Sequence, residues 1–126
     1  MAAKFLIVAA LAIAASLLPS ASRSAELVLF ERGGCVWCQR WNRDVGPVYD
    51  KSAEARILPL RRIDLDRKRT DGIKLAEPVF YTPTFVVIDN GREVGRITGY
   101  INDDSFWGLL GTLAARLEPR PEPDRI

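Results

Sequence analysis

The chain has 126 residues, a length that suits a single domain, and 48% of them are hydrophobic. Its 18 basic and 16 acidic residues give a formal net charge of +2, and the charges balance once Lys4 and Arg23 are removed with a predicted leader segment. A neutral mature domain argues against a nucleic-acid partner.

The N-terminal segment predicts a secretory signal peptide over residues 1–25. Lys4 supplies a positive charge, residues 5–18 form an apolar run, and the small residues of 19–22 interrupt that run. The run is shorter than the roughly 18 to 20 residues that a membrane-spanning helix needs. We therefore expect cleavage between residues 21 and 25 and export to the periplasm, without stable membrane insertion afterwards.

The chain has two cysteines, Cys35 and Cys38, and no histidine. The short apolar run of 26–31 predicts a buried strand, and the two glycines after it permit a sharp turn. Cys35 then falls at the start of a predicted helix. Two thiols at this spacing after a strand are typical of a redox-active pair, and export places them where disulfides persist.

Other interpretations of the cysteine pair stay open. A structural zinc site needs four Cys or His ligands, so Asp or Glu would have to supply half of them here. An inert structural disulfide would close so short a loop that it would constrain little of the unfolded chain's entropy. The two thiolates could also bind a soft metal ion such as copper(I).

The segment after the cysteines predicts a helix and then a second strand. The helix should kink or break before Pro47, because proline cannot continue the hydrogen-bond ladder. Residues 57–65 predict the second strand, parallel to the first through a right-handed crossover. The apolar positions assigned to the helix are Val36 or Trp37, Trp41, Val45, Val48 and Tyr49, with Trp41 in the core.

A short helix and a hairpin are predicted next. Residues 71–77 predict the short helix, which Pro78 would end. Residues 84–88 and 93–98 predict two antiparallel strands joined by the Asp89-Asn90-Gly91 turn. Basic residues between 61 and 69 alternate with aspartates, and this alternation is typical of a solvated, mixed-charge surface.

The chain should end with one more helix and a tail. Asn102, Asp103 or Asp104 can cap the helix. The charged, proline-rich residues 118–126 predict a tail that does not pack. The apolar face of the helix would consist of Phe106, Leu109, Leu110, Leu113 and Leu117.

This order of elements, with the cysteine pair at the first junction of strand and helix, resembles the thioredoxin family. Three motifs carry the resemblance: Cys35-Val36-Trp37-Cys38 after the first strand, Thr82-Pro83-Thr84 before the third, and Gly99-Tyr100 after the fourth. The resemblance implies an α/β fold over residues 26–117, with a central four-stranded mixed sheet flanked by helices. The fold would be trimmed, because thioredoxin has a further strand and helix before its active-site strand.

The cysteines are expected to have distinct roles. Cys35 should be the attacking thiol, because free amides and the helix dipole stabilise a thiolate at a helix start, and Arg32 and Arg40 could add to this effect. Cys38 should resolve the mixed disulfide. The resemblance also implies a cis bond before Pro83. It places substrate contacts at Trp37, Thr82, Pro83 and Gly99.

One position departs from the thioredoxin pattern. Thioredoxin has a buried aspartate in the strand before its cysteines, and this chain has Leu29 at the corresponding position. We therefore expect proton transfer to Cys38 to use Glu31 or water.

The segments Gly-Cys-x-x-Cys, Gly-Pro-Val-Tyr and Pro-Leu-Arg-Arg-Ile-Asp also resemble small periplasmic thioredoxin-like proteins encoded with bacterial sulfur-oxidation (Sox) systems. This resemblance implies an exported thiol–disulfide oxidoreductase that reduces cysteine disulfides on a periplasmic partner protein. An upstream thiol reductant, which could be membrane-borne, would supply the electrons. Strong oxidants of the thioredoxin family have a histidine between their cysteines that stabilises the reduced form. This chain has Val36-Trp37 there, and the resemblance therefore favours a reducing role.

No cofactor or metal beyond the redox-active disulfide is expected. Two alternative functions remain at this point. The first is a non-catalytic module that binds a partner and uses the disulfide as a brace, and the second is a thiol chaperone for copper.

Overall fold

The computed structural model describes residues 25–67 and 72–117. The predicted signal peptide before Ala25 and the predicted tail over 118–126 lie outside the described residues and stay predictions. None of the described helices is long and apolar enough to cross a membrane.

Four strands of the described chain form one mixed sheet. They are β1 (Glu26–Glu31), β2 (Leu60–Asp64), β3 (Thr84–Asp89) and β4 (Arg92–Thr98), and their order across the sheet is β2-β1-β3-β4. β1 runs parallel to β2 and antiparallel to β3, and β3 and β4 form an antiparallel hairpin. β1 is a continuous apolar run because it lies inside the sheet with both of its faces covered.

Helices cover one face of this sheet. They are α1 (Val36–Asp44), α2 (Gly46–Tyr49), α3 (Ala53–Ile57) and α4 (Asp103–Ala114). The core beneath them is largely aromatic. The ring of Trp41 lies 5.3 Å from that of Phe85 and 5.6 Å from that of Phe106, centroid to centroid. The core position predicted for Trp41 is thus confirmed.

Within the described residues, no α-helix covers the opposite face of the sheet. Val28, Phe30 and Ile88 pack there against an extended segment, residues 72–79, whose apolar side chains are partly buried. The helix predicted over 71–77 is therefore wrong within the described residues 72–77.

Hydrogen bonds to Gly91, directly before β4, and to β4 itself explain why this segment does not form a helix. The amide of Lys74 donates to the carbonyl of Gly91 at 2.7 Å, and the amide of Glu93 donates to the carbonyl of Lys74 at 3.1 Å. The Arg96 guanidinium donates to the carbonyls of Glu77 at 2.7 Å and Pro78 at 3.2 Å. These bonds satisfy backbone groups that a helix would have paired internally.

The second strand is shorter than predicted. The prediction covered residues 57–65, but α3 occupies the first of these positions and β2 begins only at Leu60. The hydroxyl of Ser52 caps α3 by accepting a hydrogen bond from the amide of Ala55 at 3.1 Å. Pro59, which was assigned to the strand, instead precedes it.

The break predicted before Pro47 is confirmed, since α1 ends at Asp44 and α2 begins at Gly46.

Asn102 caps α4, and its side chain accepts a hydrogen bond from the amide of Ser105 at 2.8 Å. Three of the apolar helix positions that were predicted are exposed rather than buried. Val48 and Leu109 are about half exposed, and neither residue offered for the first position, Val36 or Trp37, is buried. Val48 follows the break, so the periodicity of α1 does not extend to it. Leu109 lies beside, rather than on, the buried stripe of Phe106, Leu110 and Leu113.

Candidate redox site

Three predicted site segments converge at one end of the sheet. β1 ends at Glu31, immediately before the cysteine turn, and β3 begins with Thr84 opposite Phe30. Thr84 also pairs with Thr98, the last residue of β4. The amide of Gly99 donates to the carbonyl of Pro83 at 2.7 Å, which ties the second and third segments together.

Local backbone geometry places Cys35 at the start of α1. Gly34 has a φ of +78°, a left-handed conformation that glycine adopts without steric cost. Cys35 then has extended backbone and is the N-cap of the helix, as its position in the sequence predicted. Its Sγ accepts a hydrogen bond from the amide of Cys38 at 3.1 Å. An amide at this position would stabilise negative charge on that sulfur.

The two cysteines form a disulfide, with their Cα atoms 5.2 Å apart. They differ in their access to solvent. Cys35 is partly exposed, whereas Cys38 is only 5% exposed. An incoming sulfur can therefore reach Cys35 more readily than Cys38.

Trp37 lies between the two cysteines of the disulfide in the sequence and is exposed. Its side chain is 50% exposed, and the guanidinium carbon of Arg40 lies 5.5 Å from the ring centroid. Arg40 is also paired with Asp44 at 3.9 Å. The charge of Arg40 is thus shared between the indole ring and a carboxylate.

A tyrosine hydroxyl links the cysteine helix to the segment that contains Gly99. Tyr100 donates a hydrogen bond to Asp44 at 2.8 Å. Burial raises the pKa of Tyr100 to about 12, and the hydrogen bond to Asp44 adds to the shift. The hydroxyl therefore remains a donor at neutral pH and joins two walls of the site.

The loop before β3 supplies a third wall. The Thr82–Pro83 peptide bond is cis, and Pro83 is buried. The hydroxyl of Thr84 donates to the carbonyl of Tyr81 at 2.6 Å, which fixes the turn. Phe80 and Tyr81 are 72% and 71% exposed. Ile101, on the segment that contains Gly99, is also 72% exposed, so both linked segments at this end of the sheet carry exposed apolar side chains.

The charged residues predicted near the cysteines have carboxylate or guanidinium partners. Glu31 accepts a hydrogen bond from Arg62 at 2.6 Å. Arg32 is paired with Asp66 at 3.1 Å. Leu29, the residue at the position of the family's aspartate, is buried. The role of Glu31 in proton transfer stays a prediction.

No group of three or more His, Cys, Asp and Glu residues that could hold a metal ion occurs within 25–67 and 72–117. Sequence reasoning had missed Phe80, Tyr81 and Ile101, and it had named Tyr100 only as part of the Gly99-Tyr100 motif. The only signal for the first two was a pair of aromatic residues directly before Thr82-Pro83, outside any predicted strand.

Comparisons with known proteins agree with this geometry. A model of the thioredoxin-like domain matches residues 18–114. The chain belongs to the thioredoxin-like family. The periplasmic thioredoxin SoxS from Paracoccus pantotrophus, solved in its reduced form, is 36% identical with a TM-score of 0.71, and the match covers 74% of this chain and 98% of that one.

More distant structures share the fold. A thioredoxin-fold protein from Helicobacter pylori is 18% identical with a TM-score of 0.60, and the match covers 81% of this chain and 77% of that one. The germline-specific thioredoxin Deadhead from Drosophila melanogaster is also 18% identical, with a TM-score of 0.57 and coverage of 79% and 90%. No curated protein matches the chain significantly. The predicted thioredoxin-like α/β fold with a four-stranded mixed sheet is confirmed.

Proposed function

We propose that this protein is an exported thiol–disulfide oxidoreductase that reduces cysteine disulfides on a periplasmic partner protein. One observation carries the proposal. Cys35 is a partly exposed helix N-cap whose sulfur accepts a hydrogen bond from the Cys38 amide, and it forms a disulfide with that buried second cysteine. The start of the helix stabilises a thiolate on Cys35, the exposed sulfur that must attack. The resolving sulfur of Cys38 lies one helical turn away.

The chemistry begins with the reduced protein. The Cys35 thiolate attacks one sulfur of the substrate disulfide, and that bond breaks as a mixed disulfide forms. The other substrate sulfur leaves as a thiolate and takes up a proton. Cys38 then loses its proton and attacks Cys35, which forms the Cys35–Cys38 disulfide and releases the second substrate sulfur. The substrate gains two electrons, and an upstream dithiol restores the protein by the reverse exchange.

Residues around the disulfide would hold the substrate chain. Trp37 offers an exposed ring, while Thr82, Pro83 and Gly99 lie on two linked segments of the same sheet end. Pro83 has no N–H, so it cannot compete with a bound chain for backbone acceptors. An extended peptide beside Thr82 would bring its cysteine to Cys35.

We assign this oxidoreductase activity to sulfur oxidation. The support is the 36% identity to a periplasmic thioredoxin named SoxS. Periplasmic residence and a partner in that system are part of the proposal. The N-terminal signal pattern of the sequence supports export.

An insulin reduction assay tests the activity. The wild-type protein should accelerate reduction of insulin disulfides by dithiothreitol, and the Cys35→Ser variant should not. A wild-type rate equal to that of Cys35→Ser would refute the enzyme and leave partner binding as the function. Copper(I) titration of the reduced wild type, with Cys35→Ser as control, would detect a metal-delivery role.

A further inference from the structure

The open edge of the sheet lies beside the redox site. β2 is the outermost strand on its side and pairs with β1. Within the described chain, no other strand pairs with its outer edge. An unpaired strand edge presents backbone N–H and C=O groups that can bind another extended chain.

A groove of about 670 Å³ borders this edge. Successive side chains of a strand point to opposite faces of the sheet. The ion pairs of β2 follow this rule, since Arg61 reaches Glu26 at 3.1 Å and Arg62 reaches Glu31 at 2.6 Å. A groove lined by consecutive residues 61–64 therefore runs along the edge of β2 rather than over one face.

The groove is rich in arginine and reaches the cysteine turn. Its lining contains four arginines and two acidic residues, and it includes Gly33, two positions before Cys35. The full lining is Glu31, Arg32, Gly33, Arg61, Arg62, Ile63, Asp64 and Arg67.

The ion pairs at the redox end of the groove are open to exchange. The side chain of Arg67 is 84% exposed, and its nitrogen lies 4.0 Å from Asp64. The pair of Arg32 and Asp66 is also exposed on both sides. Exposed ion pairs contribute little to stability, so a carboxylate brought by a partner can replace the internal one.

We propose that an acidic, extended segment of the redox partner adds to the outer edge of β2 and places its carboxylates on these arginines. This inference rests on the proposed oxidoreductase function and names the chemistry of the partner. Strand addition would supply main-chain hydrogen bonds, and the arginines would select the segment by charge. The end of the groove at Gly33 would then direct the segment's cysteine toward Cys35.

A second copy of this chain fits the edge less well. In an antiparallel register that pairs Arg62 with itself or with Arg61, two β2 strands would bring arginines of both copies across from one another, and like charges opposite each other destabilise a sheet. Charged residues on an edge strand also discourage unselective pairing. A segment that brings carboxylates avoids the repulsion between like charges and is selected by the charged edge.

Two disulfide-linked peptides of equal length provide the test. One carries glutamate at alternate positions on both sides of its cysteine, and the other carries glutamine there. We expect the wild-type protein to show about a tenfold higher kcat/KM for the glutamate peptide at low salt. This is the difference expected because the glutamine peptide lacks one or two charge contacts. Raising the ionic strength should reduce this preference, because the contacts are exposed.

Matched variants locate the effect. The double variant Arg61→Gln/Arg67→Gln should lose the preference, whereas Arg56→Gln/Arg116→Gln should keep it. The second pair removes the same charge from exposed residues that do not line the groove. Two glutamate peptides N-methylated at alternate residues, one at the odd and one at the even positions, extend the test. The one whose methyl groups replace the N–H groups that face β2 should also lose its advantage, because it cannot donate to the strand edge.

Several results would overturn the inference. Equal kcat/KM for both peptides, or a preference that survives Arg61→Gln/Arg67→Gln, would remove the groove as an acidic docking site. Undiminished rates with both N-methylated peptides would remove strand addition. If the wild type reduced neither peptide, the oxidoreductase proposal would fail separately. Calorimetric binding of cysteine-free versions of the two peptides would then decide the inference, with binding of only the glutamate version supporting it.

Discussion

The two faces of the sheet are held by different interactions. On the helical face, aromatic rings meet at centroid distances of 4.9 Å for Phe85 and Phe106 and 5.6 Å for Trp41 and Phe106. On the other face, apolar side chains of residues 72–79 pack on the sheet, and hydrogen bonds to Gly91 and to β4 hold the backbone of the segment. Glu93 and Arg96 form the centre of that attachment, and their side chains are 6% and 14% exposed.

This difference extends to the redox site, because each face supplies one of its walls. α1, which begins at the cysteines, belongs to the aromatic face. Residues 72–79 lead directly into Phe80, Tyr81 and Pro83. Apolar packing depends little on pH, whereas the wall anchored by Glu93 and Arg96 should respond to acid and to the loss of one charge.

The largest expected effect comes from breaking the aromatic face. Phe106→Ala should lower the free energy of unfolding by about 3–5 kcal/mol, because it leaves a cavity between Trp41 and Phe85. Urea unfolding followed by far-UV circular dichroism measures this change. A loss below about 1 kcal/mol would mean that the ring cluster contributes little.

A smaller effect should follow from breaking the polar face. Arg96→Met removes the hydrogen bonds to Glu93 and to the carbonyls of Glu77 and Pro78. We expect a loss of about 1–3 kcal/mol, typical of an unsatisfied buried partner. Hydrogen exchange should accelerate at the amide of Ala76 but not within α4. Uniform acceleration at both places would show that the two faces are not separate.

The smallest effect is a pH dependence confined to the polar face. The hydrogen bond from Arg96 lowers the pKa of Glu93 below its ordinary value of 4.5, the Ala76 amide adds to this, and burial opposes it. A lowered folded pKa stabilises the protein above the unfolded pKa, and this contribution is lost as the pH falls through the folded value.

The wild type should therefore exceed Glu93→Gln in stability by about 1 kcal/mol at pH 7. The difference should shrink as the pH falls below the unfolded carboxyl pKa of 4.5. Unfolding curves of both proteins across this range give the comparison. A difference that stays constant with pH would assign the stabilisation to packing rather than to charge.

The elements that sequence reasoning predicted well are those with local signals. The buried run of β1, the glycine turn into Cys35 and the Asp89-Asn90-Gly91 hairpin each follow from neighbouring residues. The arrangement at the redox end then follows from strand pairing. The resemblance to thioredoxin added Pro83 and Gly99, whose backbones are hydrogen-bonded to each other.

The elements that were missed depend on distant partners. Residues 72–77 carry helix-forming side chains, but their backbone pairs with β4 and with Arg96, which no local pattern reveals. The bond between Tyr100 and Asp44 joins residues 56 positions apart in the chain. The error at residues 57–59 has a local cause, because Ser52 caps a helix that continues to Ile57, and the alternation typical of a strand begins only at Arg61.

The most direct test of the proposed chemistry is to trap the mixed disulfide. Reduced Cys38→Ser and Cys35→Ser variants are each mixed with insulin, quenched with acid and mapped by mass spectrometry. We predict that a mixed disulfide accumulates on Cys35 in the first variant and that little forms on Cys38 in the second. Accumulation on Cys38 alone would contradict the assignment of Cys35 as the attacking thiol.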